Sequence, residues 1–158
     1  MITKEEAAMD AMEFLKRHTI GVLATANLEG IPFASPVYYA AEPDFSIYFA
    51  TSHHTQKFKN LLLNKQVALC VGTGPQYIVV NIHGVAEMKE GKEMKEGLKR
   101  MSAIAGSGMA MWPIKAVKVL GEGGTAIFKI KPQQISYLNL ATKDQLGNIT
   151  DYFYEILP

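Results

Sequence analysis

Thiol chemistry is nearly absent from this chain. Its 158 residues include one cysteine, Cys70, with no partner for an internal disulfide and no C-x-x-C neighbour. That excludes a disulfide scaffold and thiolate zinc sites, and it leads to the expectation of a reducing, cytoplasmic setting. Strong charge is lacking too: 16 Lys and Arg face 15 Asp and Glu, for a net charge of +1. No field is left to draw nucleic acid or an anionic membrane, so neither is expected as a partner. The first seventeen residues carry Glu5, Glu6, Asp10 and Glu13 among their apolar side chains, which is wrong for the core of a signal peptide. Gln66 to Ala86 is a run of 21 residues without Asp, Glu, Lys or Arg, but Gly72 to Gln76 breaks it into two strands, so no membrane span is expected.

Several catalytic signatures are missing as well. His18, His53, His54 and His83 have neither H-E-x-x-H nor i, i+4 spacing, so no metal site is expected. Gly106-Ser107-Gly108 falls short of a nucleophile elbow, and there is no P-loop or kinase signature. Gly121 to Ala126 spells G-x-G-x-x-A, yet it precedes a strand instead of opening a helix, which removes its dinucleotide meaning. The sequon at Asn148 has no secretory signal to accompany it.

What the chain does contain is core. With 48% hydrophobic and 20% charged residues it reads as one globular domain over residues 1–158. Thr3 and Glu6 have capping-box spacing at the head of an amphipathic helix that ends near Arg17. Strands follow at His18 to Ala26, Ile31 to Ala41 and Ser46 to Thr51, with turns at Asn27 to Gly30 and Pro43-Asp44. Pro32 and Pro36 cannot donate to a ladder, so the second strand must be an edge, bulged, or facing something other than a neighbouring strand along part of its length, and an opening in the sheet is expected there. A helix from Thr55 to Asn64, with Phe58, Leu61 and Leu62 as its buried stripe, precedes strands at Val67 to Val71 and Tyr77 to Met88. In the latter, Ile78, Val80, Ile82, Ala86 and Met88 share the inward face. A helix from Lys89 to Ala105, a short helix between Pro113 and Gly121, and strands at Thr125 to Lys131 and Ile135 to Leu140 around a Pro132-Gln133 turn complete the pattern. A mainly β chain of seven strands without regular strand-helix alternation points to a small antiparallel barrel with peripheral helices.

Chemistry concentrates in Thr51-Ser52-His53-His54-Thr55-Gln56-Lys57, at a strand-to-helix junction. A helix N-terminus already carries partial positive charge, so Lys57 in the first turn is unfavourable unless an anion sits there. Open backbone N–H groups, the hydroxyls of Thr51, Ser52 or Thr55 and the Lys57 ammonium can converge on one phosphoryl group. The plain alternative is a solvated lysine beside a hydroxyl cap.

Ser35-Pro36-Val37-Tyr38-Tyr39, Ile47 to Thr51, Thr55-Gln56-Lys57, Asn60-Leu61, Asn64, Val67-Ala68-Leu69 and Gly84-Val85-Ala86 together resemble the pyridoxamine 5'-phosphate oxidase-like, FMN-binding split-barrel family over about Ile20 to Glu87. Ile130 to Tyr137 is similar to that family's final barrel strand. The resemblance implies a split antiparallel β-barrel of the FMN-binding type and a homodimer with FMN between its subunits. Carried onto this chain, it places Thr51 and Ser52 at the flavin phosphate or ribityl chain, Gln56 and Lys57 at the phosphate, and the backbone of Ser35, Pro36, Val37 and Tyr38 at the flavin ring. An oxidoreductase working between a small-molecule substrate or nicotinamide donor and an acceptor is the expectation. The alternatives are a non-catalytic flavin carrier or sensor, or a relative that binds F420 or haem. No residue compels an acid or base role; Tyr38, His53 and His83 are the candidates.

The departures from the family are equally informative. The basic residues that bracket the second-strand motif in vitamin B6 oxidases are here Ser35 and Ala40, and the arginine before the phosphate lysine is Gln56. Leu138 stands for a tryptophan, and the basic substrate-binding tail has no counterpart in Tyr152 to Pro158. Vitamin B6 oxidation is therefore not expected. Trp112, Met109 and Met111 in an uncharged stretch, with open barrel edges, add to the expectation of a homodimer.

Overall fold

Alternating side chains on short strands, punctuated by three amphipathic helices, build the architecture. The computed structural model describes residues 3–72, 77–106, 124–140 and 152–157. In chain order these form α1 (Lys4–Arg17), β1 (Ile20–Ala26), β2 (Pro32–Ala41), β3 (Ile47–Ser52), α2 (Gln56–Leu63), β4 (Gln66–Val71), β5 (Ile78–Met88), α3 (Gly91–Gly106), β6 (Thr125–Asn139) and β7 (Tyr152–Leu157). The sheet runs β3-β2-β1-β4-β5-β6-β7, every pairing is antiparallel, and β6 also pairs with β3. Six strands thus close a barrel and β7 lies outside the closure.

The inward residues of each strand fill one core, among them Leu23, Val37, Tyr39, Ile47, Phe49, Leu69, Val80, Ile82, Phe128, Ile130 and Ile135. Each such side chain contributes about 1.5–3 kcal/mol by leaving water. Two helices close the barrel ends. Helix α1 starts with the expected capping box, Thr3 N donating to Glu6 Oε2 (2.7 Å) and Glu6 N to Thr3 Oγ1 (3.1 Å). It buries Ala7, Ala11, Phe14 and Leu15, and the Tyr39 hydroxyl donates to the Leu15 carbonyl (2.9 Å). Helix α2 sits at the other end, where Asn60 meets Thr25 near the close of β1. Helix α3 packs outside, with Met94, Leu98, Met101 and Ile104 over Ala40, Tyr48 and Ile127. It comes close enough that a Cβ on Gly97 would lie 2.6 Å from Ile127 Cγ2.

The split in the barrel lies where the prolines predicted an opening. Strand β2 pairs with β1 from Pro32 to Tyr38, but meets β3 only at Tyr39, Ala40 and Ala41. Its other side has no strand partner from Pro32 to Val37 among the described residues, so neither proline breaks a two-sided ladder.

The expected elements need four corrections. Pro132-Gln133 does not end a strand: β6 runs through it, and the register with β5 shifts between His83 and Gly84. The proline is accommodated because β3 stops pairing at Ile130 and β7 starts at Ile135, leaving that side of β6 open between them. Strand β7 is an addition to the expected elements. Met88 is 43% exposed, beyond the last inward position at Ala86. In α2 the third buried position is Asn60, while Leu62 is 56% exposed. The short helix expected between Pro113 and Gly121, Trp112 with Met109 and Met111, and the sequon at Asn148 lie outside the described residues.

Candidate functional site

Strand β3 ends on Ser52, a turn at His53 and His54 redirects the chain, and Thr55 caps α2 by accepting a hydrogen bond from Phe58 N (3.3 Å). The hydroxyls beside it lock together. Thr51 Oγ1 and Thr55 Oγ1 are 2.8 Å apart, and Thr55 Oγ1 lies 2.9 Å from the Ser52 carbonyl oxygen, to which Thr55 N also donates (3.1 Å). His54 N donates to Ser52 Oγ (3.3 Å). The backbone N–H groups of Gln56 and Lys57 find no acceptor among the described residues, as expected of a helix start. Phe58 and Leu61 anchor the helix in the core, Phe58 standing edge-on to Phe128 at 6.2 Å between ring centres.

Lys57 occupies that first turn with no carboxylate partner among the described residues, and the turn contains no acidic residue. Burial pushes its ammonium below the ordinary lysine value. Here the chain holds a partly buried positive charge, on a helix end that is itself positive, without a counter-charge among the described residues.

A relay of side chains reaches across the barrel end from this cluster. Gln56 Nε2 donates to Asn60 Oδ1 (2.9 Å), Asn60 Nδ2 to Thr25 Oγ1 (3.1 Å), and Thr25 Oγ1 to the Phe33 carbonyl (3.4 Å). Asn60 is 3% exposed. It thereby ties α2 to β1 and to the open half of β2. Sequence reasoning noticed Asn60 only as part of the family pattern; the signal it offered was an asparagine within an apolar helical stripe.

Six of the eight expected site residues lie on strands and fall on two faces, and Gln56 and Lys57 open α2. Ser35, Val37 and Thr51 take the barrel-facing parity of their strands, with Val37 in the core and Thr51 bonded to the α2 cap. Ser35 Oγ is buried with no hydrogen-bond partner in the single chain. Pro36, Tyr38 and Ser52 have the opposite, outward parity, and Tyr38 packs beside the cluster under α3. Thr51, Ser52, Gln56 and Lys57 thus gather at one junction. Ser35 to Tyr38 belong to the strand edge that diverges from it beyond the Tyr39–Phe49 rung.

The outward rungs across β2, β1, β4, β5 and β6 form a second feature. Ala34 and Pro36 lie beside Ala24 and Val22, then Ala68 and Cys70, then His83 and Asn81, then Gln134 and Ser136. None is Asp, Glu, Lys or Arg. His83 is exposed on this face, and burial pushes the Cys70 thiol up from its ordinary value. No trio of metal-ligating side chains occurs among the described residues. Nor is any helix among them long and apolar enough to cross a membrane.

A closed six-stranded antiparallel barrel with a split between β2 and β3 and helices at both ends defines the split-barrel class. The chain belongs to the pyridoxamine 5'-phosphate oxidase family, whose model matches residues 9–139. Solved structures share the fold at low identity. A haem-binding protein from Mycobacterium smegmatis superposes with a TM-score of 0.67 at 19% identity over 95% of this chain, which spans 58% of that protein's length. A Clostridium acetobutylicum protein of the pyridoxinephosphate oxidase family, related to general stress protein 26, gives 0.67 at 11% identity, covering 98% of this chain and 97% of that one. General Stress Protein 26 from Bacillus anthracis gives 0.61 at 18%, covering 92% and 96%. No curated protein matches the chain in sequence.

Proposed function

We propose that this chain is an FMN-binding flavoprotein, an oxidoreductase that passes electrons between a reduced nicotinamide or small organic substrate and an acceptor, and that does not oxidise vitamin B6. The observation that carries this reading is Lys57: a partly buried cation without a counter-charge, next to two open backbone N–H groups at a helix start. A phosphate monoester resolves all three at once. Lys57, the N–H groups of Gln56 and Lys57 and the Ser52 hydroxyl would hold the phosphate, and the stretch of β2 from Ser35 to Tyr38, beyond the β3 ladder, would border the flavin ring. FMN when bound supplies hydride chemistry; the protein positions it and excludes water. The uncharged outward face next to Pro36 supports a homodimer with the cofactor at the subunit boundary.

A second reading, haem binding, is favoured by the likeness to the Mycobacterium smegmatis haem-binding protein. One experiment separates the two: the absorption spectrum of the freshly purified protein, then titration with FMN, F420 and haemin, following spectral change and thermal stabilisation. Flavin bands or saturable stabilisation by FMN are expected, with Lys57→Ala weakening FMN by about tenfold or more. A response to haemin or F420 alone moves the function to that cofactor. Full FMN affinity in Lys57→Ala overturns the phosphate site.

A further inference from the structure

A cleft of about 440 Å³ opens at the α1 end of the barrel, the end opposite α2, and shares no residue with the site above. One wall is the last turn of α1, where the His18 and Phe14 rings stack 4.0 Å apart. The other is Tyr137, 2% exposed on β6, with Ile78 beside it. Three groups give the cleft its chemistry. His18 Nδ1 donates to the Phe14 carbonyl (2.8 Å), which fixes the tautomer and leaves Nε2 as a free acceptor in the neutral ring. Asp10 has no cationic partner among the described residues, whereas Glu13 is already paired with Arg17. The Tyr137 hydroxyl accepts from Asn139 Nδ2 (3.0 Å), with no acceptor for its own proton among the described residues.

These groups ask for a particular ligand. An anion would meet an unpaired carboxylate and an imidazole lone pair, and the one guanidinium present is engaged. A metal ion lacks its ligand set, since no group of three ligating side chains is found among the described residues. A wholly apolar molecule would strip water from Asp10, His18 and Tyr137 and return nothing. The stacked Phe14–His18 pair offers a flat surface, Asp10 offers a carboxylate to an ammonium, and Nε2 and the Tyr137 hydroxyl offer an acceptor and a donor to a hydroxyl group. We propose that this cleft binds a small arylalkylamine, charged at its ammonium and carrying a hydroxyl-type oxygen, at a site separate from the junction at α2.

Calorimetric titration of the purified chain with tyramine, 4-ethylphenol and 4-hydroxyphenylacetate tests this, because the three probes share a phenol and differ in charge. Saturable heat is expected for tyramine, with the neutral and anionic probes weaker by about tenfold or more. Asp10 is exposed, so Asp10→Asn should fold normally and weaken tyramine to a similar degree. His18→Phe keeps the stacked ring, removes the acceptor and should do the same; if it fails to fold, Asp10→Asn alone decides. No saturable tyramine binding, equal affinity for all three probes, or unchanged tyramine affinity in Asp10→Asn overturns the proposal.

Discussion

Asn60 holds one end of the barrel together through its side-chain amide, which accepts from Gln56 and donates to Thr25. Its replacement by alanine leaves the Thr25 hydroxyl without its buried donor and detaches Gln56, while removing almost no apolar contact. Asn60→Ala should therefore destabilise the protein by about 1–3 kcal/mol, read as a lower urea midpoint at unchanged m-value. An unchanged midpoint would show that the relay does not hold α2. The same residue shows what the sequence concealed. Hydroxyl, amide and ammonium groups at Thr51 to Lys57 were legible because they are consecutive, and the charge argument at Lys57 needed only its place in a first turn. The link from Asn60 to Thr25 spans 35 residues, and spacing carries no trace of it. Parity within β2 and β3 likewise came only from the closed barrel, which turned Val37 and Thr51 inward and Pro36, Tyr38 and Ser52 outward.

At the scale of elements, β6 decides the closure. Its first half lies between β3 and β5, its second between β5 and β7, and the register shift at His83/Gly84 marks the change of partner. Gly84 is required there because an added Cβ would collide with the Lys131 carbonyl oxygen, a backbone atom that cannot step aside. Gly84→Ala should cost about 1–3 kcal/mol or more, visible as a lower melting temperature, because relief requires moving a strand paired on both sides elsewhere along its length. Gly30→Ala is the matched control: its open turn has nothing within 4 Å of the added atom, although its φ of +80 carries a smaller backbone cost. Equal losses in the two variants would count against the close approach. Most elements were legible because apolar periodicity and caps are local: the Thr3 box, the strand alternation and the Thr55 cap are each written within a few residues. A proline followed by a polar residue reads locally as a turn, and the lack of a strand partner on one side among the described residues explains why Pro132 lies within a strand.

For the whole molecule, the uncharged outward face across five strands is a feature to which the single chain gives no purpose. It borders the free edge of β2, and the two together describe a surface that a second copy of the chain could cover while completing a site begun at Ser35 to Tyr38. Ala68 lies near the middle of that face, between Ala24 and His83. A lysine there would project outward, away from the core, so the barrel should still fold. In an interface between two copies, however, the same charge would be stripped of water twice over, at a cost of several kcal/mol. Light scattering at micromolar concentration should therefore give a dimer for the native chain and a monomer for Ala68→Lys, with the same circular dichroism for both. FMN affinity should fall in step with dimer loss, although Ala68 touches none of the phosphate-binding groups at Lys57. A native chain that is monomeric under these conditions would remove the shared site. A dimeric Ala68→Lys variant would move the interface to another face.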